Sequence, residues 1–228
     1  NPVPKPQNIP ALLGRAGFGT IGLVSNFYAI DRLVLADANM LNKLSPFFAI
    51  IFSIFLLKER PTLVQILGVA AAFIGSLFII KPSMGGYPVF PAVIGAVGGM
   101  SAGLAYTFVR LLGKKGENSL RIIFFFSAFS CLVCIPFMIM NFAPFSLKSF
   151  LYLILAGISA SLGQFGITKA YLCAPAKEIS VYDYTQVLFA AIFGFFLFGQ
   201  VPDLLSIAGY ILICGAGIAM FLYNRRRD

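Results

Sequence analysis

The chain has 228 residues, of which 59% are hydrophobic and 11% charged, with 25 phenylalanines and no tryptophan or histidine. That balance lies outside the soluble globular range, and the lack of histidine excludes chemistry built on imidazole: a Ser-His-Asp triad, His-ligated zinc or a histidine proton relay. The formal charge of +9 suits a multi-pass membrane chain whose basic residues set its orientation, and it calls for no nucleic-acid partner.

A bilayer core of ~30 Å takes about 20 mostly apolar residues per helix. Residues 1–10 are proline-rich, lack an apolar core and read as a loop, not a signal peptide. Eight apolar runs follow, at 11–30, 35–57, 63–81, 89–112, 122–140, 149–173, 179–199 and 204–223. The breaks between them are too short to house a soluble domain. The expected fold is therefore an all-α integral membrane protein with eight transmembrane helices. Cys131, Cys134, Cys173 and Cys214 all lie inside apolar runs and read as packing or lipid-facing thiols. Neither metal nor cofactor is expected.

Basic residues give the orientation. If the Arg225-Arg226-Arg227 tail is cytoplasmic, the inside segments also hold Lys5, Lys58, Arg60, Lys114, Lys115, Arg121 and Lys177. The outside segments then hold only Arg32, Lys81 and Lys148, ten basic residues against three. Both termini are expected in the cytoplasm, with the chain in the plasma membrane.

Shifting the chain by 141 residues brings two regions into register. Phe48, Ala49, Ile51 and Phe52 face Phe189, Ala190, Ile192 and Phe193, while Pro61 faces Pro202 and Gly68 faces Gly209. An odd number of spans separates the copies, so they are expected to lie upside down relative to each other. Inverted repeats are the architecture of many secondary transporters, with the binding site where the halves meet. The second copy holds five spans and the first three, which reads as a 5+5, ten-helix design lacking its first two spans. Residues 1–83 are thus expected to form a partial first repeat and 84–228 a second.

The run Ala29 through Ala38, Asn39, Ser45-Pro46, Leu57-Lys58-Glu59-Arg60-Pro61 and Gly68 resembles the third to fifth helices of the drug/metabolite transporter superfamily, EamA-like branch. The second half is similar to the sixth to tenth helices, although Gln186-Val187 and Gln200-Val201-Pro202 depart from the pattern. The resemblance implies a ten-helix fold, plasma-membrane location and a central cavity, and it supplies no catalytic residue.

Polar residues inside spans are costly and mark cavities or partners. Asn39, Asn42, Lys43 and Pro46 fall on one helical face, with Lys43 deep enough to face a cavity unless its stem snorkels outward. Pro46 either frees a carbonyl for substrate or only kinks the helix. In the second copy, Asp183 and Tyr184 stand opposite Asn42 and Lys43. Asp183 can pair with a basic residue, bind a cationic group, take up a coupling proton, or simply sit near a helix N-terminus. Asn26, Tyr106 and Gln164 are further substrate-binding candidates, set against bonding to a neighbouring helix. Arg15 and Lys169 are expected to snorkel toward headgroups. The stripes Gly95-Gly99-Gly103, Gly14-Gly17-Gly22 and Gly157-Gly163-Gly166 read as close helix contacts.

The leading expectation is a secondary active transporter of small metabolites or drugs, working by alternating access between inverted repeats. It has no cofactor, a small-molecule substrate, the lipid bilayer as surroundings, a proton or counter-substrate for coupling, and a monomeric or homodimeric state. An intramembrane lipid-modifying enzyme and a passive channel are the alternatives. The scattered acids and missing histidines weigh against the enzyme.

Overall fold

The computed structural model describes residues 6–33, 35–80, 88–140, 144, 146–199 and 201–226. Lys5, Lys81, Gln200 and Arg227, which enter the charge and repeat arguments, lie outside the described residues. Among the described residues every regular element is helical. They are α1 (Ile9–Arg32), α2 (Leu35–Asn42), α3 (Ser45–Leu57), α4 (Leu63–Ile80), α5 (Val89–Lys114), α6 (Ser119–Met140), α7 (Leu147–Cys173), α8 (Ala176–Ile179), α9 (Thr185–Phe198) and α10 (Leu204–Arg225), with 3-10 turns at Pro6–Asn8 and Tyr182–Tyr184.

Each expected apolar run contains helix. Five stretches are long and apolar enough to cross a membrane: Ala38–Leu57, Val89–Lys114, Ser119–Met140, Leu147–Cys173 and Leu204–Arg225. Two local expectations change. Residues 1–10 are not all loop, because α1 starts at Ile9 with a proline in its first turn, where the missing N–H costs nothing. The runs at 35–57 and 179–199 are not continuous helices. Pro46 cannot donate to the carbonyl of Asn42, so the helix stops there and restarts at Ser45. The second run lacks that proline and breaks through a 3-10 turn instead.

The 141-residue register recurs in these boundaries. α1 and α7 end at Arg32 and Cys173, α2 and α8 begin at Leu35 and Ala176, α3 and α9 end at Leu57 and Phe198, and α4 and α10 begin at Leu63 and Leu204. The caps repeat too. Leu33 N–H donates to Ala29 O at 2.8 Å and Ala174 N–H to Ala170 O at 3.0 Å, both from extended residues. After α3 and α9 the chain turns through left-handed residues, Lys58 (φ 56) and Gly199 (φ 64). A left-handed C-cap normally selects glycine; after α3 the chain accepts the strain on a lysine.

Glycine sets how closely the helices approach. A Cβ on Gly99 would lie 2.5 Å from Leu41 O, one on Gly103 2.6 Å from Ser45 O, and one on Gly95 2.7 Å from Leu41 Cδ1. The expected stripe on α5 is thus the seat on which the broken α2–α3 pair rests. Gly22 meets Gly98 where α1 crosses α5, and α4 meets α10 at Gly75 and Gly209. Added Cβ atoms at Gly17, Gly157, Gly163 and Gly166 meet nothing within 4 Å, so the expected close contact along α7 is not made there. The outer faces carry exposed large apolar residues, among them Phe124, Met140, Leu162, Phe196 and Leu204, an arrangement suited to lipid and not to water.

Polar contacts gather the loops expected to share one side. Glu59 pairs with Lys114 at 3.0 Å and Arg110 at 3.4 Å, while Lys177 Nζ donates to Arg60 O at 3.2 Å. In the α5–α6 loop Glu117 accepts from Asn8 at 2.7 Å and pairs with Arg121. Burial opposes ionisation of Glu117, but the bonds from Asn8, the Asn118 N–H and Arg121 outweigh it and hold the carboxyl below its usual range.

At Gly209 an added Cβ would sit 2.5 Å from the Gly75 carbonyl oxygen, so backbone must move to admit it. We expect Gly209→Val to destabilise the fold by at least about 1–3 kcal/mol, the usual cost of overpacking. Gly215→Ala, where nothing lies within 4 Å, should be neutral or better; thermal unfolding in detergent checks both.

Candidate functional site

The two helix breaks face each other and satisfy each other. Where α2 stops, the Lys43 carbonyl accepts from Tyr184 Oη at 3.0 Å, its partner 141 residues away. The Pro46 carbonyl accepts from Ser180 Oγ at 3.3 Å. In return, Lys43 Nζ donates to the Asp183 carbonyl at 3.2 Å and to Gln186 Oε1 at 2.6 Å. In hydrocarbon an unpaired backbone group costs several kcal/mol, so irregular backbone survives only where protein or a cavity receives it.

A cavity of about 720 Å³ opens beside these breaks. Asn42, Lys43 and Pro46 form one wall and Asp183 and Gln186 another, with Tyr106, Gln164, Ile167, Tyr182, Phe189 and the side-chain-free Gly163 and Gly166 among the other lining residues. Tyr171 donates to Asp183 Oδ2 at 3.0 Å and stacks on Tyr106 with centroids 4.9 Å apart, which ties the acid to α5 and α7. A second cavity of about 150 Å³ adjoins the first and shares Asn42, Tyr106 and Gln164 with it; Arg15, Gly19, Gly22, Asn26 and Phe126 are among its other walls.

Of the residues named from sequence, Asn42, Lys43, Tyr106, Gln164 and Asp183 line the larger cavity, and Asn26 joins three of them around the smaller. Asn39 and Tyr184 line neither. Asn39 lends its carbonyl to the Lys43 N–H at 3.0 Å. Tyr184 is fully buried in an apolar cluster, edge-on to Phe73, so its place is structural support for the break. Gln164 Nε2 donates to Thr168 Oγ1 at 2.9 Å.

Arg15 corrects an expectation. It does not snorkel: it is 3% exposed, lies over the Phe126 ring at 4.0 Å, and lines the smaller cavity. Its place in α1 lets the side chain run inward beneath Gly19, where an added Cβ would lie 2.1 Å from Nη1. The signal was present in the sequence, since Arg15, Gly19, Gly22 and Asn26 fall at i, i+4, i+7 and i+11, one small-and-polar helix face. Lys169, in contrast, is exposed. The roles of Gln186 and Tyr171 had no comparable signal, because they depend on a contact across the two halves. Among the described residues no group of His, Cys, Asp and Glu is placed to hold a metal.

Comparison with known proteins gives the family. The model of the EamA-like transporter family matches residues 1–81 and 90–223. The chain belongs to the EamA-like transporter family. It is 38% identical over 217 residues to the pseudopaline exporter CntI of Pseudomonas aeruginosa, covering 94% of this chain and 75% of that protein. It is 22% identical over 210 residues to an S-adenosylmethionine uptake transporter of Rickettsia prowazekii, covering 91% and 69%. One solved crystal structure superposes with a TM-score of 0.83 at 16% identity, covering 96% of this chain and 78% of that one; at that identity the likeness is one of fold. As an EamA-like protein the chain is a multi-pass membrane transporter of small molecules, and it is not an enzyme.

The Tyr184 hydroxyl holds a carbonyl that the broken helix leaves open. We expect Tyr184→Phe to cost about 1–3 kcal/mol, the penalty of a buried unsatisfied acceptor. Tyr182→Phe, where no hydroxyl bond is present among the described residues, should change stability by less than about 0.5 kcal/mol. Parallel thermal unfolding of the two variants decides it.

Proposed function

We propose that this EamA-like protein is a secondary active transporter that moves a small polar metabolite across the plasma membrane by alternating access. The observation that carries the reading is the pair of helix breaks, 141 residues apart, that bond to each other beside a polar cavity of about 720 Å³. Broken helices at a repeat interface are where transporters of this kind bind solute. In this reading residues 1–83 and 84–228 form two inverted repeats contributing eight spans, a 5+5 design in its helix order. The coincident helix ends and caps at offset 141 support the repeat. Contacts of residues 59, 60, 114, 117 and 177 at one end support placing those basic loops together in the cytoplasm.

Solute is bound by Asn26, Asn42, Lys43, Tyr106, Gln164 and Asp183, with Asn39 and Tyr184 shaping the break that presents Lys43. Rocking of one repeat against the other carries the cavity from face to face. The energy comes from a proton or counter-substrate gradient, and Asp183 is the coupling candidate. It is the acid of the larger cavity, and its Oδ2 is held by Tyr171 while the lysine bonds to its backbone carbonyl. Related proteins are named for export of pseudopaline and for uptake of S-adenosylmethionine, so the family serves both directions.

We expect Lys43→Ala and Asp183→Asn each to cut transport by at least about tenfold, the worth of one charge-assisted hydrogen bond, with membrane insertion unchanged. The assay is movement of metabolites from a bacterial small-molecule extract by proteoliposomes, followed by mass spectrometry under an imposed proton gradient. Concentrative movement in wild type supports the coupled transporter. Flux that only dissipates gradients contradicts it, and unchanged kinetics in both variants removes Lys43 and Asp183 from the site.

A further inference from the structure

We propose that the smaller cavity is a carboxylate subsite: the transported solute carries a carboxylate group that docks on Arg15, while the rest of the solute lies in the larger cavity. This rests on the transporter reading above and narrows it to a substrate class.

A buried guanidinium is expensive in an apolar setting and is found paired. Arg15 is 97% buried, taking its 3% exposure from the whole, yet among the described residues it has neither an ion pair nor a hydrogen bond, and its Nε is without an acceptor. It lies over the Phe126 ring, 4.0 Å away, which stabilises the cation but accepts no N–H, and within electrostatic reach of Tyr106 on the same cavity. The guanidinium faces a cavity of about 150 Å³. Asn26 and Asn42 line the same cavity, and their side chains also have no hydrogen-bond partner among the described residues. One buried cation and two half-buried amides thus line a space too small for a large headgroup. A carboxylate offers two coplanar oxygens that match the guanidinium fork, with lone pairs left for amide N–H donors.

Charge balance points the same way. Around the two cavities stand Arg15 and Lys43 against Asp183; two positive groups less one negative leave one positive charge for the solute to neutralise. Lys43 already has two oxygen acceptors in the protein, so the open demand falls on Arg15. Gly19 is what makes room for it, since any side chain there would occupy the position of Nη1.

The test uses full-length protein in proteoliposomes loaded with a bacterial small-molecule extract. Solutes moved above the protein-free background are methyl-esterified and identified by mass spectrometry, and each purified acid is compared with its own methyl ester. The subsite predicts that the moved solutes carry carboxyl groups and that wild type prefers acid over ester at least tenfold in KM. Arg15→Gln should lose that preference and Arg15→Lys should keep part of it. Arg15→Met, which keeps a long unbranched side chain without the cation, serves should the glutamine variant fail a thermal-unfolding check. Moved solutes without a carboxylate, phosphate monoesters included, overturn the subsite and leave the transporter standing. An acid-over-ester preference that survives in Arg15→Gln or Arg15→Met overturns it equally. If no solute moves above background, the transporter reading itself fails and this inference with it.

Discussion

The structure depends on two interrupted helices that complete each other's hydrogen bonding. Breaking a helix inside an apolar medium strands carbonyl groups, and nothing in lipid can receive them. Here the Lys43 carbonyl is received by Tyr184 and the Asp183 carbonyl by the Lys43 ammonium, while Ser180 adds a bond across the junction to the Pro46 carbonyl. Each break is therefore tolerable only because the other exists. That reciprocity fixes the register between α2–α3 and α8–α9, and it places Lys43 and Asp183 beside one cavity.

Around that junction the remaining helices are arranged by what they lack. The glycine stripe on α5 brings Leu41 O and Ser45 O within van der Waals reach of its backbone, and Gly75 and Gly209 do the same for α4 and α10. Without a hydrophobic drive between helices in lipid, such close approach is what makes helix contacts favourable. On α7 the same residue type does the opposite. Gly163 and Gly166 face open space and widen the cavity, so small residues pack where a backbone opposes them and make room where none does.

Much of this was legible in the sequence, for identifiable reasons. Apolar run length located the helices, and the 141-residue register pairs Lys43 with Tyr184, two residues that hydrogen-bond in the structure. The break at Pro46 was legible as a kink but not as a stop, because its depth depends on whether partners accept the freed carbonyls. The break at 180–184 had no proline to announce it. There the Lys43 ammonium takes up the Asp183 carbonyl, a group that a continuous helix would use, a long-range effect with no local signature. Arg15 departs from expectation for a related reason: snorkelling is the default for a basic residue near a helix end, whereas here Gly19 beneath it and Phe126 across from it make an inward path available.

The central claim is that the cavity between the two breaks is reached from both faces of the membrane in turn. Gly163 lines that cavity and has space for a side chain, which makes it a reporter. With Cys131, Cys134, Cys173 and Cys214 replaced by serine, a single Gly163→Cys can be challenged with a membrane-impermeant thiol reagent applied to either face, under proton gradients of both signs. The account predicts reaction from each face, with the favoured face switching when the gradient is reversed. Reaction from one face alone, whatever the gradient, would contradict it.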